Sequence, residues 1–199
     1  FDNELPELKT TGTGLSMIFS HFSKRNIDSM LVGTTAALIL ISFLLIIALR
    51  SLKFGLISLI PNLFPAAMGF GLWGYLQGEV GVALSIVAAM TLGIVVDDTV
   101  HYLSKYLRGK REKGLSPEAA TTYAFKNVGF ALSTTTIALV AGFGVLSFSG
   151  FKINSDMAML TAITIAIALF VDLFFLPTLL IALDKIKFNS NKKSLNMKV

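Results

Sequence analysis

The chain of 199 residues is 54% hydrophobic and 15% charged, has no cysteine, and has a mean hydropathy of +0.73. Apolar residues gathered in long runs exclude an ordinary soluble domain, and the lack of cysteine excludes disulfides and thiolate metal sites. The net charge of +5 could suggest nucleic acid binding, but the cations flank the apolar runs. The pattern therefore predicts an integral membrane protein with membrane lipids, and no nucleic acid, as partners.

The first segment, residues 1–27, is mostly polar and ends in a stretch whose apolar spacing suits an interfacial helix. We interpret it as the end of an external, periplasmic domain followed by that helix. The chain starts at Phe1, without a charged-then-apolar signal segment. We therefore expect a piece of a longer protein whose N-terminal half is missing here.

Residues 28–184 are predicted to form an all-α transmembrane domain. Five apolar runs each reach the roughly 20 residues that a helix needs to cross a bilayer. They are residues 28–49, 54–77, 80–104, 128–149 and 156–183. The second run contains Pro61 and Pro65, which leave backbone carbonyls without partners and predict a kinked helix.

The segments between the spans carry an uneven charge. Residues 105–127 are basic and contain Ser116-Pro117, a helix cap followed by a favoured first residue, so we expect a short cytoplasmic or interfacial connector helix. The basic tail 185–199 lies on the same side in a five-span topology. Most lysines and arginines thus fall on one side, which predicts a cytoplasmic C-terminus.

An acidic pair, Asp97-Asp98, interrupts the third apolar run. One charged side chain at the centre of a lipid-exposed helix costs roughly 2.5–3.5 kcal/mol, so two adjacent carboxylates predict a functional site. His101 lies one helical turn after Asp97 and within reach of Asp98. Two carboxylates and an imidazole can load and release protons, whereas a pair that only fixes helix packing is the alternative.

Hydroxyl side chains are expected at the depth of the acidic pair. Thr134, Thr135 and Thr136 lie about 10 Å from the cytoplasmic end of the fourth span, and the acids lie about 8–9 Å from the end of theirs near Leu103. We predict that Thr135 or Thr136 faces the carboxylates and takes part in the relay. The alternative is ordinary bonding of these hydroxyls to helix carbonyls.

A third acid, Asp172, lies in the last span, about 18 Å from its cytoplasmic end near Asp184. By this estimate its depth does not match the pair, so we expect either a hydrogen bond within the bundle or a place on the substrate path. Gly93, one turn before Asp97, is predicted to let another helix approach closely.

The sequence contains no motif that would support catalysis. There is no phosphate-binding lysine motif, nucleophile elbow or paired-histidine zinc signature, and the two histidines are far apart in sequence. We predict neither an enzyme nor a metal site.

At Gly93-x-x-x-Asp97-Asp98 the chain resembles the resistance-nodulation-division (RND) superfamily, and especially its bacterial MMPL-type exporters. Further similarity covers nearly the whole chain, in the order of the spans. It comprises Thr11-Gly-Thr-Gly14, the two prolines of the second span, the basic connector, Thr134-Thr-Thr136, Gly142-Phe143 and Leu176-Pro177.

The resemblance implies an RND-type helical bundle, with these spans as helices eight to twelve of a twelve-span transporter in the bacterial inner membrane. It implies that protons are the coupling ion, without a cofactor, and that hydrophobic or lipid-like molecules are exported. Asp97 and Asp98 would match the proton-relay acids, with the threonines near the partner hydroxyls, whereas His101 and Asp172 match positions that are often polar. A homo-oligomer is possible on this resemblance.

Two other functions are compatible with the sequence. An accessory subunit of the Sec protein-secretion system belongs to the same superfamily, but an Asn-Asp-type helix expected there fits this string poorly. A membrane domain that senses sterols or lipids without transporting them would keep the acids for packing or signalling.

Overall fold

The computed structural model describes residues 15–77 and 82–184, and this part of the chain is all-helical. Five stretches within it are long and apolar enough to cross a membrane, as predicted. They are Val32–Leu49, Leu52–Gln77, Ile86–Lys113, Pro117–Leu146 and Lys152–Asp184. Residues 1–14 of the predicted external segment and the basic tail 185–199 lie outside the described residues.

The first span belongs to a single long helix, α1 (Leu15–Leu49). The predicted interfacial helix is therefore not separate from the span but continuous with it. At 1.5 Å per residue, α1 is about 52 Å long, well beyond the roughly 30 Å hydrocarbon core. It ends at Arg50, which has a positive φ of 47°, and Ser51 then caps the next helix.

The second span is interrupted, as its prolines predict. Helix α2 (Leu52–Ile57) ends at Ser58, and α3 (Leu59–Gln77) follows directly. Pro61 has no N–H to donate to the carbonyl four residues before it, so the helical ladder is weakest at this point. The Ser58 hydroxyl donates to the Gly55 carbonyl at 2.7 Å inside the protein.

The third span is part of α4 (Val82–Lys113), which extends about two and a half turns past the predicted end at residue 104. After a short turn, Ser116 caps α5 (Pro117–Ala124) by accepting from the Ala119 N–H at 3.2 Å. This helix start is the predicted one. The connector is nevertheless shorter than expected, because a π-helical turn, Phe125–Gly129, joins α5 to α6 (Phe130–Leu146).

The last span consists of α7 (Lys152–Phe170), a second π-helical turn (Val171–Phe175) and α8, residues 176–184. In this π-turn the N–H of Leu176 donates to the carbonyl of Val171, five residues back. Pro177 follows and cannot supply the next helical hydrogen bond, which gives a physical reason for the altered winding here.

Helix α7 lies at the centre of the bundle and packs against α3, α4 and α6, while α1 packs on α4. Two buried apolar clusters fill the core. The smaller consists of Trp73, Val87 and Leu160. The larger lies toward the other end of the bundle and includes Leu49, Tyr102, Leu103, Tyr106, Leu107, Ala120, Ala124, Leu132, Leu176 and Leu180.

The larger cluster adjoins the end of the bundle where basic residues gather, called here the basic end. Lys110 of α4 forms an ion pair with Asp184 at 2.5 Å, and the Tyr106 hydroxyl donates to the same carboxylate at 2.7 Å. Arg111 donates to the carbonyl of Arg50 at 3.3 Å. The ends of α1, α4 and α8 therefore meet on one side of the bundle.

Candidate functional site

One face of α4 carries exposed polar residues along its length. This face, called here the α4 stripe, consists of Gly93, Asp97, His101, Ser104 and Arg108, all of which are exposed in the chain. Their spacing of three or four residues aligns them on one side of the helix. Because a carboxylate that faces lipid is costly, the stripe requires protein or water against it in the membrane.

The acids and the histidine predicted to cluster do lie together. Asp97 Oδ1 lies 3.5 Å from His101 Nε2, and the two side chains are 72% and 59% exposed. Asp98 is partly buried and turns from the stripe toward the interior of the bundle. It interacts electrostatically with both Asp97 and His101. The three groups therefore connect an exposed surface with the inside of the protein.

Only one of the three threonines on α6 is turned inward. Thr136 is 2% exposed and interacts with Asp98, although its hydroxyl makes no hydrogen bond of ordinary geometry. Thr134 and Thr135 are exposed, and their hydroxyls donate to carbonyls of their own helix at 2.9 Å and 3.0–3.1 Å. Thr136 therefore faces the carboxylates, as predicted for Thr135 or Thr136. Thr134 and Thr135 instead bond to carbonyls of their own helix.

The expectation that Asp172 lies at a different depth from the acidic pair is wrong. Asp172 is fully buried, and its Oδ1 accepts a hydrogen bond from Thr99 Oγ1 at 2.9 Å. Thr99 directly follows Asp98 on α4, and Asp98 and Asp172 interact electrostatically. The third acid therefore belongs to the same site as the pair.

The error came from the assumed ends of the helices. The depth of Asp98 was counted from Leu103, where the apolar run ends, but α4 continues to Lys113. The ion pair between Lys110 and Asp184 marks the common level of the two helix ends. Counted from this pair, Asp98 and Asp172 each lie about 18 Å inside the bundle.

Thr99 is a site residue that the sequence analysis missed, because a lone threonine in a span usually bonds to its own helix. With it, Asp98, Thr136 and Asp172 form what we call the polar layer. The layer separates the two apolar clusters of the core. The sequence did contain a signal for the polar layer. Asp98 precedes Lys110 by the same number of residues as Asp172 precedes Asp184, so the pairing of Lys110 with Asp184 brings the two acids to one depth.

Gly93 does not have the close neighbour expected for it. No atom of the described residues lies within 4 Å of the position that a Cβ would take there. Close approach occurs instead at Gly69 of α3, where a Cβ would collide with the hydroxyl of Thr164 on α7. Gly93 thus forms part of the open α4 stripe, and Gly69 supports the centre of the bundle.

The site offers carboxyl groups in two different surroundings. Among residues 15–77 and 82–184, no group of three or more histidine, cysteine, aspartate or glutamate side chains is placed to hold a metal ion. The acids are instead distributed between an exposed stripe and a buried layer. Adjacent carboxylates of this kind can exchange protons while they titrate as a coupled group.

A membrane-embedded helical bundle with acids on its central helices is the class of protein that these features define. A family model described as the MMPL family matches residues 2–198. The chain therefore belongs to the MMPL family, which is part of the RND superfamily.

A relative from Methanocaldococcus jannaschii, named as a predicted membrane protein, is 26% identical over 176 residues. The match covers 88% of this chain and 45% of the relative. The chain thus spans less than half the length of that protein.

Proposed function

We propose that this chain is part of a transporter driven by the proton gradient, and that the transporter exports hydrophobic or lipid-like molecules. The observation that carries the proposal is the arrangement of Asp97, Asp98 and Asp172. Three carboxylates from two helices lie at one level of a bundle able to cross a membrane, about 18 Å from its basic end, and two of them are wholly or partly buried. Membership of the MMPL family supports transport as the purpose of these acids.

The physical basis is the cost of charge in a low-dielectric environment. Protonation of Asp97 and Asp98 removes charge from α4, and loss of the proton restores it. A membrane potential of 100 mV provides about 2.3 kcal/mol for each elementary charge that crosses, before a pH gradient is added. A few protons per cycle therefore suffice to drive the export of a hydrophobic molecule.

Coupling to substrate requires that protonation move helices. Asp98 adjoins Thr99, which links α4 to the last span through Asp172. A change of charge at Asp98 alters the electrostatic environment of the Thr99–Asp172 hydrogen bond. It thereby changes how α4 packs on the last span. We propose that this repacking is passed to external domains of the whole protein, where the substrate is bound.

The same proposal gives an orientation. Arg50, Lys53, Lys110 and Arg111 gather at the basic end, and an excess of such residues is typical of cytoplasmic segments. We propose that the basic end faces the cytoplasm.

The test uses the full-length protein in liposomes with an imposed pH gradient. The probe is a fluorescently labelled phosphatidylethanolamine, whose movement between leaflets is followed by quenching. Asp97→Asn combined with Asp98→Asn should reduce gradient-driven movement by about 100-fold, because proton transfer by positioned groups contributes rates of this order. Asp156→Asn, which alters an ion pair outside the site, is the matched control.

Three results would contradict the proposal. Undiminished, gradient-dependent movement in the double variant would show that the acids do not bind the driving protons. Movement that ignores the gradient in the wild-type protein would show that protons do not drive it, and a complete lack of movement would favour a lipid-sensing domain over a transporter.

A further inference from the structure

Four buried side-chain atoms in the described residues lack a hydrogen-bond partner. They are Nδ2 and Oδ1 of Asn62, Oγ1 of Thr136 and Oδ2 of Asp172. All three residues are at most 2% exposed. An unsatisfied buried polar group costs about 1–3 kcal/mol, so such groups in a natural protein call for an explanation.

The residues that carry these atoms lie at one depth. Gly69 of α3 abuts Thr164 of α7, and the two helices run in opposite directions. Asn62 lies about 10 Å from Gly69 toward the basic end, and Asp172 lies about 12 Å from Thr164 in the same direction. Two residues after Asn62, the ring of Phe64 stacks on that of Phe175 at 5.7 Å.

Helix α4 gives an independent check on this depth. Trp73 of α3 and Val87 of α4 belong to one buried cluster. Measured along α3, Asn62 lies about 16 Å from Trp73 toward the basic end. Measured along α4, Thr99 lies about 18 Å from Val87 in the same direction. Asn62 therefore reaches the level of the hydrogen bond between Thr99 and Asp172. The unpartnered atom of α6 and that of the last span thus belong to the polar layer, and those of Asn62 on α3 lie at its depth.

We propose that Asp172 is an internal proton-binding site, which exchanges protons with Asp98 across a small hydrated space bounded by Asn62 and Thr136. This inference rests on the proposed function and assigns a second station to its proton path. Asp97 and His101 receive protons at the exposed stripe, Asp98 passes them inward, and Asp172 holds them within the bundle.

The groups around Asp172 suit both of its protonation states. Thr99 donates to Oδ1 whether the carboxyl group is ionised or neutral. When Oδ2 carries a proton, the carboxamide oxygen of Asn62 accepts from it, directly or through one water. When Oδ2 is ionised, the amide N–H groups of Asn62 donate instead, because an asparagine has both an acceptor and two donors.

The proton balance of the transfer is simple. A proton leaves a carboxyl oxygen of Asp98, passes along water and the Thr136 hydroxyl, and binds Oδ2 of Asp172. Asp98 is then ionised and takes up another proton from the stripe, and Asp172 releases its proton to water before the next transfer. No other bond forms or breaks, and no further reactant is required.

Few other titratable groups face Asp172. Asp98 and Tyr102, both on α4, interact with it electrostatically. Helix α6 has no titratable side chain, and the only one on α3 is Tyr75, which is 88% exposed. On the last span, Lys152 and Asp156 pair with each other at its far end. Asp98 is therefore the carboxyl group with which Asp172 exchanges protons.

The local backbone also distinguishes Asp172 from an ordinary buried acid. It lies in the π-helical turn Val171–Phe175, just before Pro177. Single π-turns within α-helices occur frequently at functional sites, because they change the direction of side chains and leave carbonyls available.

The test compares Asp172→Asn with wild type in the full-length protein. Asparagine keeps the shape of the side chain and an acceptor for Thr99, but it cannot bind a proton in this pH range. Proton flux into liposomes should fall by about tenfold or more, with an unchanged melting temperature in detergent. Asp172→Glu should retain part of the flux, and Asp156→Asn should retain all of it.

Infrared difference spectra between low and high pH supply a second readout. We expect separate signals of protonated carboxylic acids from Asp98 and Asp172, each lost in the corresponding asparagine variant. Asn62→Leu should shift the frequency of the Asp172 signal without removing it. If Asp172→Asn does not yield folded protein, the Asn62→Leu variant tests the proposal instead. An Asp172 signal at the wild-type frequency in that variant would overturn the proposal.

Other outcomes separate this inference from the proposed function. If Asp172→Asn transports normally while the Asp97/Asp98 double variant fails, the internal site is wrong and the proposed function stands. If the double variant also transports normally, the proposed function itself is wrong. A requirement for sodium, tested by replacement with choline and lost in Asp172→Asn, would mean that the layer binds a metal cation, and would overturn the proton site.

Discussion

The α4 stripe and the polar layer contain the same kind of acid in opposite surroundings. Asp97 is 72% exposed and contacts His101 at 3.5 Å, whereas Asp172 is fully buried and bonded to Thr99 at 2.9 Å. The stripe faces outward from the described bundle, and the layer is enclosed by α3, α4, α6 and the last span. The difference suggests that one region exchanges protons with its surroundings while the other holds them.

Burial should make the two acids respond very differently to a change of charge. Asp172→Arg places a larger and permanently charged side chain in a site with no exposure, which we expect to cost on the order of 3–5 kcal/mol. Asp97→Arg should cost about 1 kcal/mol or less, because the side chain can extend away from the bundle. Thermal unfolding of both variants in detergent measures the difference, and equal losses would contradict the contrast.

Two glycines test how closely each region is packed. Gly69→Ala should destabilise the protein by about 1–3 kcal/mol, since its Cβ meets Thr164 on the neighbouring helix. Gly93→Ala has open space within the described chain and should be nearly neutral. The measurement is unfolding in the full-length protein. A neutral Gly69→Ala would contradict the close contact between α3 and α7, while a costly Gly93→Ala would show that another part of the whole protein packs on the stripe.

Two ion pairs at the basic end allow a similar comparison, with smaller expected losses of stability. Lys110→Met should cost about 1–3 kcal/mol, because it leaves the partly buried Asp184 with the Tyr106 hydroxyl and the charge of Lys53 but without its ion pair. Glu112→Gln breaks the exposed pair with Arg108 and should cost less than about 1 kcal/mol. High salt should widen this gap slightly, because it screens the exposed pair more than the partly buried one. If both variants unfold alike, the Lys110–Asp184 pair does not join the helix ends.

His101 should have the smallest effect. Its side chain is 59% exposed and its contact with Asp97 is long. We expect His101→Gln to change the transport rate by less than about threefold at every pH, because the exposed Asp97 can still receive protons without it. Rates measured at several pH values check this. A complete loss of transport would mean that His101 is an obligatory proton carrier.

The sequence was sufficient to predict the five spans and the helix start at Ser116, because each depends on a local pattern. The cluster of Asp97, Asp98 and His101 was also predictable, since residues three or four apart share one face of a helix. These features need no knowledge of how the helices pack.

The depth of Asp172 was not predictable from the end of the apolar run. Tyr106 and Lys110 continue α4 beyond that point, since long amphipathic side chains can cover apolar surface while their polar tips find water or a partner. Asn62 and Thr99 look unremarkable in sequence, and only the packing of three helices brings them to one level. Pairing of helices, rather than the composition of any one of them, forms the polar layer.

The central claim is that the acids of α4 bind the protons that drive the protein. The most direct test is proton entry into liposomes that contain the full-length protein and a trapped pH-sensitive dye, under an imposed membrane potential. We predict measurable entry for wild type and Asp156→Asn, and almost none for the variant with both Asp97→Asn and Asp98→Asn. Equal proton entry in the double variant and wild type would contradict the claim.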